Sequence, residues 1–279
     1  MYRADQKYTL AIERMVEGFR REDPPSIPQL AVPVVVPNTC YEACMKSDDK
    51  KLKSTGCLVI IAFYYLLRVG EYTKPRMVQR NGQRIRATRT KQFSVENVGF
   101  FKKGQIVPRT STLAELLESD SATLKITNQK NGRMGDTVHQ KANGSQNCPI
   151  KALAYLVHHI LSNKGTQDQL LCDYWANDKW SSVQSSDIVA CVRTSAKVLQ
   201  LDRQGIDPDL IGAHSLRAGG AMALRLHGYS DTVIMKMGRW TSLTFLQYIH
   251  TQIAHLAEDI SRKMSIPLPF LNIASIECQ

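Results

Sequence analysis

Apolar residues are densest at 57–67, an unbroken run of Cys, Leu, Val, Ile, Ala, Phe and Tyr between Ser54-Thr55 and Arg68. The run is about half the ~20 residues that a bilayer span requires, so it reads as a buried helix capped by Ser54-Thr55. Over residues 1–22 the apolar positions Leu10, Ile12, Met15, Val16 and Phe19 recur among charges, as on an amphipathic helix. The proline-rich stretch 24–37, with Val34-Val35-Val36, reads as an extended linker. Asn38-Thr39 reads as the cap of a helix over 40–45, and 48–53 as a solvated, lysine-rich turn. Residues 92–95 and 98–101 look like strands, with Lys102-Lys103-Gly104 as a turn. Leu124-Lys125-Ile126-Thr127 and Thr137-Val138-His139-Gln140 alternate on either side of a Gly-rich turn at 131–135, the pattern of a β-hairpin.

Helical periods return after Cys148-Pro149, where Leu153, Leu156, Val157, Ile160 and Leu161 form a stripe and Pro sits near the first turn. His158 and His159 are adjacent within it and point in different directions, which suits packing or surface roles better than a metal pair. Residues 174–180 read as an aromatic and polar loop, and Ser185-Ser186-Asp187 as the cap of a helix through 201. Further helices are expected over 215–226, from a Ser230-Asp231 cap through 237, and over 250–264. A short apolar segment lies at 243–249, and a tail begins at 266.

Composition narrows the functional classes. The 279 residues are 43% hydrophobic, enough for a sizeable core, and carry a net charge of +11. That balance favours a polyanionic partner, nucleic acid first. Residues 74–90 concentrate it in Lys74, Arg76, Arg80, Arg84, Arg86 and Arg89, which reads as a DNA-facing loop or insertion, or else a solvated surface loop. The seven cysteines are scattered and odd in number, with no Cys-x-x-Cys pair. That points to a reducing, intracellular setting without disulfide framework or structural zinc. The polar start is no signal peptide, and no membrane partner is expected.

Candidate chemistry lies at 213–248. His214 and Arg217 are three residues apart, on one helical turn, and Gly238-Arg239-Trp240 is followed by Tyr248. Arg68 closes the apolar run and is followed by Glu71. Two arginines give permanently charged, bidentate donors for a phosphodiester. Histidine can share that work and move a proton near neutral pH, and a tyrosine hydroxyl can act as a covalent nucleophile.

His-x-x-Arg, then Gly-Arg-Trp, then Tyr eight residues after the Trp resembles the C-terminal half of the tyrosine recombinase, or phage integrase, family. The wording His-Ser-Leu-Arg-Ala-Gly-Gly-Ala with Gly-Arg-Trp-x-Ser and Tyr-Ile is most similar to the mobile-element branch, including DIRS-like and Crypton-like recombinases. The resemblance covers roughly residues 50–260. It implies an α+β fold, a mainly α-helical catalytic domain with a small antiparallel β-sheet or hairpin. It also implies roles. Tyr248 would be the nucleophile that forms a 3′-phosphotyrosyl link. Arg68, Arg217, His214 and the Trp240 N–H would stabilise the transition state, with Glu71 a structural partner. The family's hairpin lysine, general acid for the leaving 5′ oxygen, matches Lys130 best, with Lys125 and Lys141 open.

The chemistry implied conserves phosphodiester energy in the tyrosyl link and so calls for no cofactor and no metal. The implied partners are double-stranded DNA and further copies of the chain, as a dimer or tetramer on DNA. The place would be the nucleus in a eukaryote, otherwise cytoplasm or nucleoid. Residues 1–45 are expected to be a helix and linker remaining from a core-binding domain, 46–265 the catalytic domain, and 266–279 the tail. Two departures stand out: phage and bacterial members space Trp and Tyr by one residue more, and their N-terminal DNA-gripping domain of about a hundred residues is much longer than the segment here. The second motivates a catalytically inactive DNA-binding protein as an alternative. A type IB topoisomerase-like enzyme would share the chemistry.

Overall fold

The structure, a computed structural model, describes residues 30–80, 83–86, 90–127, 135–243 and 246. The fold is α+β, mainly helical with a small antiparallel sheet. In chain order the helices are α1 (Val35–Lys46), α2 (Lys50–Tyr64), α3 (Val69–Tyr72), α4 (Leu113–Leu117), α5 (Pro149–Ser162), α6 (Ser185–Val198), α7 (Ser215–Leu226) and α8 (Asp231–Gly238). The strands are β1 (Met77–Arg80), β2 (Gln83–Arg86), β3 (Val98–Lys102), β4 (Gln105–Val107), β5 (Ser121–Lys125), β6 (Thr137–Lys141), β7 (Asp173–Ala176) and β8 (Lys179–Ser182). β4-β3-β5-β6 form one antiparallel sheet, while β1-β2 and β7-β8 are separate two-stranded ribbons.

Helix α2 is the centre of the core. Cys57 through Ala62 are completely buried, and α1, α5, α6 and α7 all pack against it. Hydrophobic on every side, it needs cover on every side. It starts seven residues earlier than the apolar run suggests, because the Asp49 side chain accepts the Lys51 N–H (2.7 Å) and caps it. The lysine-rich stretch is therefore mostly first turn. Ser54 and Thr55 are buried inside the helix, where Thr55 Oγ1 donates to the Lys51 carbonyl (2.8 Å). The helix also stops short of the run's end: Leu66 takes a left-handed conformation (φ 48°).

Helix α1 likewise begins earlier than its Asn38-Thr39 signal, at Val35. Val36 is buried against the core, and Pro37 falls in the first turn, where an N–H would have no intrahelical partner. Val32 donates its N–H to the Ser215 carbonyl (3.3 Å), and Cys40 and Cys44 meet α6 through Ser195 (3.1 Å) and Cys191 (3.7 Å). The described cysteines are free thiols.

The hairpin expected around 131–135 is β5-β6, in register from Ser121↔Lys141 to Lys125↔Thr137. The Lys103-Gly104 turn joins β3 to β4 with both residues at positive φ, a type I′ geometry. Residues 92–94 are not a strand. Ser94 makes one bridge to Leu170, and a 3-10 turn at Val95–Asn97 leads into β3. Residues 174–180, read as a loop, are the β7-β8 hairpin, because Asn177 and Asp178 adopt the paired positive φ of a type I′ turn. The Asp187 side chain accepts the Gln184 N–H (2.9 Å) at the start of α6, which ends three residues before the expected limit. Helices α7 and α8 match their sequence signals, and Ser230 caps α8. The helices expected over 1–22 and 250–264, the tail, and most of the segment 243–249 lie outside the described residues. Among the described residues no helix is long and apolar enough to cross a membrane.

Candidate active site

Four local features bring the arginines together. The left-handed turn at Leu66 ends α2 and sets Arg68 as the N-cap of α3. Glu71, in that short helix, is buried. Helix α7 carries Arg217 in its first turn, and its Gly219-Gly220 pair permits close packing: a Cβ at either glycine would overlap the Val32 or Phe63 carbonyl. Helix α8 ends with Gly238 and a left-handed Arg239 (φ 58°), which turns the chain so that Trp240 follows.

Arg217 is 2% exposed. Its two terminal nitrogens donate to the carbonyls of Leu66 and Gly238, and its guanidinium carbon lies 4.1 Å from the centroid of the Trp240 ring. Arg239 is buried as well. It grips Glu71 with both terminal nitrogens (3.2 and 3.0 Å) and also donates to the Leu66 carbonyl (3.0 Å). Glu71 in turn accepts the backbone N–H of Arg68 (2.8 Å) and its guanidinium (3.2 Å). One carboxylate thus serves two arginines, and one carbonyl serves two more donors. Burial lowers the Arg239 pKa, the Glu71 carboxylate working against that shift, and the guanidinium stays protonated at neutral pH.

Trp240 is half-buried, and Arg68 is partly exposed beside Glu71. His214 is exposed as the N-cap of α7, one turn ahead of Arg217. Next to this cluster a cleft of about 490 Å³ opens between β6 and α8, lined by Asp136, Thr137, Lys236, Arg239, Trp240 and Thr241. The buried Arg239 Nε has no hydrogen-bond partner among the described residues.

Of the sequence-derived set, Arg68, Arg217 and Trp240 are joined through Leu66, Glu71 and Gly238. Lys130 and Tyr248 lie outside the described residues. The two alternative lysines are separated by register. Lys125 pairs with Thr137, which lines the cleft, and Lys141 pairs with Ser121 at the other end of the hairpin; both are exposed. Among the described residues no group of three or more His, Cys, Asp or Glu is placed to hold a metal ion.

No family model and no curated protein matches the chain. Solved structures do. One is the XerH site-specific recombinase bound to palindromic difH substrate in a post-cleavage complex, at 16% identity and TM-score 0.48, covering 85% of this chain and 54% of that one. Another is XerA recombinase, at 18% identity and TM-score 0.48, covering 86% and 66%. A third is the Tn1549 transposon integrase in complex with transposon right end DNA, at 11% identity and TM-score 0.42, covering 87% and 69%. The chain therefore spans between half and two thirds of the length of the first two structures.

Arg239 is the residue that sequence reasoning passed over. In the motif it looks like a spacer between Gly238 and Trp240. Glu71 has Arg68 within one turn, and the burial that calls for a second, permanently charged partner shows only in the fold.

Proposed function

We propose that this chain breaks and rejoins DNA strands through a 3′-phosphotyrosyl intermediate. The observation that carries this reading is the convergence of Arg68 and Arg217 with Trp240 beside the cleft, in a chain of net charge +11. A scissile phosphate seated there meets planar cationic donors and an indole N–H, groups suited to the charge that grows on its equatorial oxygens. Tyr248 gives up its proton and its oxygen attacks phosphorus. The bond from phosphorus to the 5′ oxygen breaks, and that oxygen takes a proton from Lys130, leaving a 5′ hydroxyl. Attack by the 5′ hydroxyl of a second strand reverses these steps and exchanges partners. In this reading His214, exposed one turn before Arg217, holds the phosphate or moves the nucleophile's proton.

A second reading is favoured by one specific feature. Arg217 is almost wholly buried, and both its terminal nitrogens already donate to carbonyls. In that reading the arginines hold the fold and the protein binds DNA without cutting it. Against it, Arg68 is partly exposed beside Glu71, which leaves its guanidinium accessible to a phosphate.

Nicked duplexes that trap a covalent intermediate separate the two. Incubated in EDTA with a pool of such substrates, the chain is expected to give an SDS-resistant DNA adduct. The Tyr248→Phe variant gives none, and Arg68→Ala slows adduct formation by about 10²–10³-fold, the usual cost of removing one preorganised donor. Salt-sensitive DNA binding without adduct on any substrate would select the non-cutting reading. Arg217→Lys, checked for folding by circular dichroism, is the safer probe of Arg217, since alanine there takes the Arg217 donor from the buried Gly238 carbonyl and leaves the Leu66 carbonyl to Arg239 alone.

A further inference from the structure

The ribbon β1-β2 follows directly on the arginine cluster but adds nothing to the core. Among the described residues its strands pair only with each other, and Met77, Gln79, Gln83 and Arg86 are exposed. The stretch 74–90 contains Lys74, Arg76, Arg80, Arg84, Arg86 and Arg89 and no Asp or Glu. Such a segment is repelled by itself and by the rest of a basic protein, so its cost is offset only by a polyanion.

Both ends of the segment are fastened to the turn that carries Arg68 and Glu71. Thr73 Oγ1 donates to the Val69 carbonyl (2.7 Å), and the Lys74 N–H to the Val183 carbonyl (2.8 Å). On the return side Gln92 Nε2 donates to the Gly70 carbonyl (2.9 Å), and the Phe93 N–H to the Glu71 carbonyl (2.8 Å). The ribbon therefore projects from a fixed root at the candidate site. Four-residue strands carry it about 13 Å outward.

Register sorts its positions. Met77↔Arg86 and Gln79↔Arg84 share one face, and Val78↔Ile85 and Arg80↔Gln83 share the other. The first face thus combines Gln and Arg, the residue types that hydrogen-bond base edges and phosphates, on a ribbon of the width the major groove accepts. Arg80 and Gln83, which pair at its end, are polar, and the sequence between them, Asn81-Gly82, offers no apolar wedge for a lipid surface.

We propose that the β1-β2 ribbon docks into the major groove of duplex DNA beside the phosphate at the arginine cluster, with the face of positions 77, 79, 84 and 86 toward the bases. This rests on the DNA-processing reading above for its partner, but not on strand cleavage.

The test is the affinity of the full chain for a fluorescent duplex, measured by anisotropy across a salt series. Variants are R76Q/R84Q/R86Q and a replacement of residues 77–86 by a short Gly-Ser turn, with thermal midpoints recorded for each. The expected result is a midpoint like the wild type's, at least tenfold weaker binding at fixed salt, and a log K against log[salt] slope shallower by about 2–3, at roughly 0.9 for each phosphate no longer neutralised. Unchanged affinity and slope in either folded variant would overturn the ribbon proposal while leaving the DNA reading intact. A wild-type chain without salt-sensitive DNA binding would overturn both. Weaker binding of the variants to phosphatidylserine vesicles with DNA affinity unchanged would assign the ribbon to a lipid surface instead.

Discussion

Arg239 and Arg217 differ from Arg68 in how they are held. Arg239 and Glu71 have side chains only 3% and 2% exposed, so each depends on the other for compensation of a buried charge. Replacing Arg239 by Met leaves Glu71 with a single, partly exposed partner. The expected cost is about 3–5 kcal/mol, read as a lower urea midpoint at unchanged m-value. Arg239→Lys should recover only part of it, since one ammonium cannot grip both Glu71 oxygens and the Leu66 carbonyl together. At this scale the sequence was informative where spacing is local: Arg68 with Glu71, and His214 with Arg217, are each three apart. It was silent on Arg239, whose partners lie 168 and 173 residues away, and on the double duty of the Leu66 carbonyl. Backbone carbonyls carry no sequence signature, so a hub built on one is visible only after folding.

Among the elements, α5 and β7 are joined by a histidine rather than by apolar packing alone. His159 Nε2 accepts the backbone N–H of Trp175 (3.0 Å), and its ring stacks on Tyr155 at 5.9 Å. Accepting that bond requires the neutral ring. Burial, reinforced by Lys50 and His158, lowers the His159 pKa below its usual 6.5. The unfolded chain therefore takes up the proton first as pH falls. The contribution is complete above pH 6.5 and is lost as pH drops toward and through the folded pKa. Unfolding free energy measured between about pH 7.5 and 5 should decline in the wild type and decline less in His159→Gln, whose amide oxygen can accept the same bond. Element type was legible for α7, α8 and the β5-β6 hairpin, where period and caps agree. The β7-β8 hairpin was not legible because an Asn-Asp pair suits an open loop as well as a type I′ turn, and only the fold shows Asn177 and Asp178 both at positive φ. The start of α1 was not legible because Pro37 suits an extended linker as well as the first turn of a helix.

For the whole molecule, residues 30–46 belong to the same core as the rest. Val32, Val36, Cys40, Tyr41 and Cys44 are buried with α2 and α6, and Val32 is tied to Ser215. Burying one large apolar side chain is worth about 1.5–3 kcal/mol, against a total stability of about 5–15 kcal/mol for a domain. A chain begun at Ser47 is therefore expected to show no cooperative thermal transition by circular dichroism. The Leu66 carbonyl has a further consequence for how the protein is made. It accepts from Arg217 and Arg239, 151 and 173 residues later in the chain. On the ribosome Leu66 and Glu71 emerge while both late donors are still untranslated, at about 5–20 residues per second. The helices around α2 can gather in that interval, but the arginine hub cannot begin to close until α7 and α8 have left the exit tunnel. A nascent chain exposes the Leu66 carbonyl and the Glu71 carboxylate to water until Arg217 and Arg239 arrive to cover them.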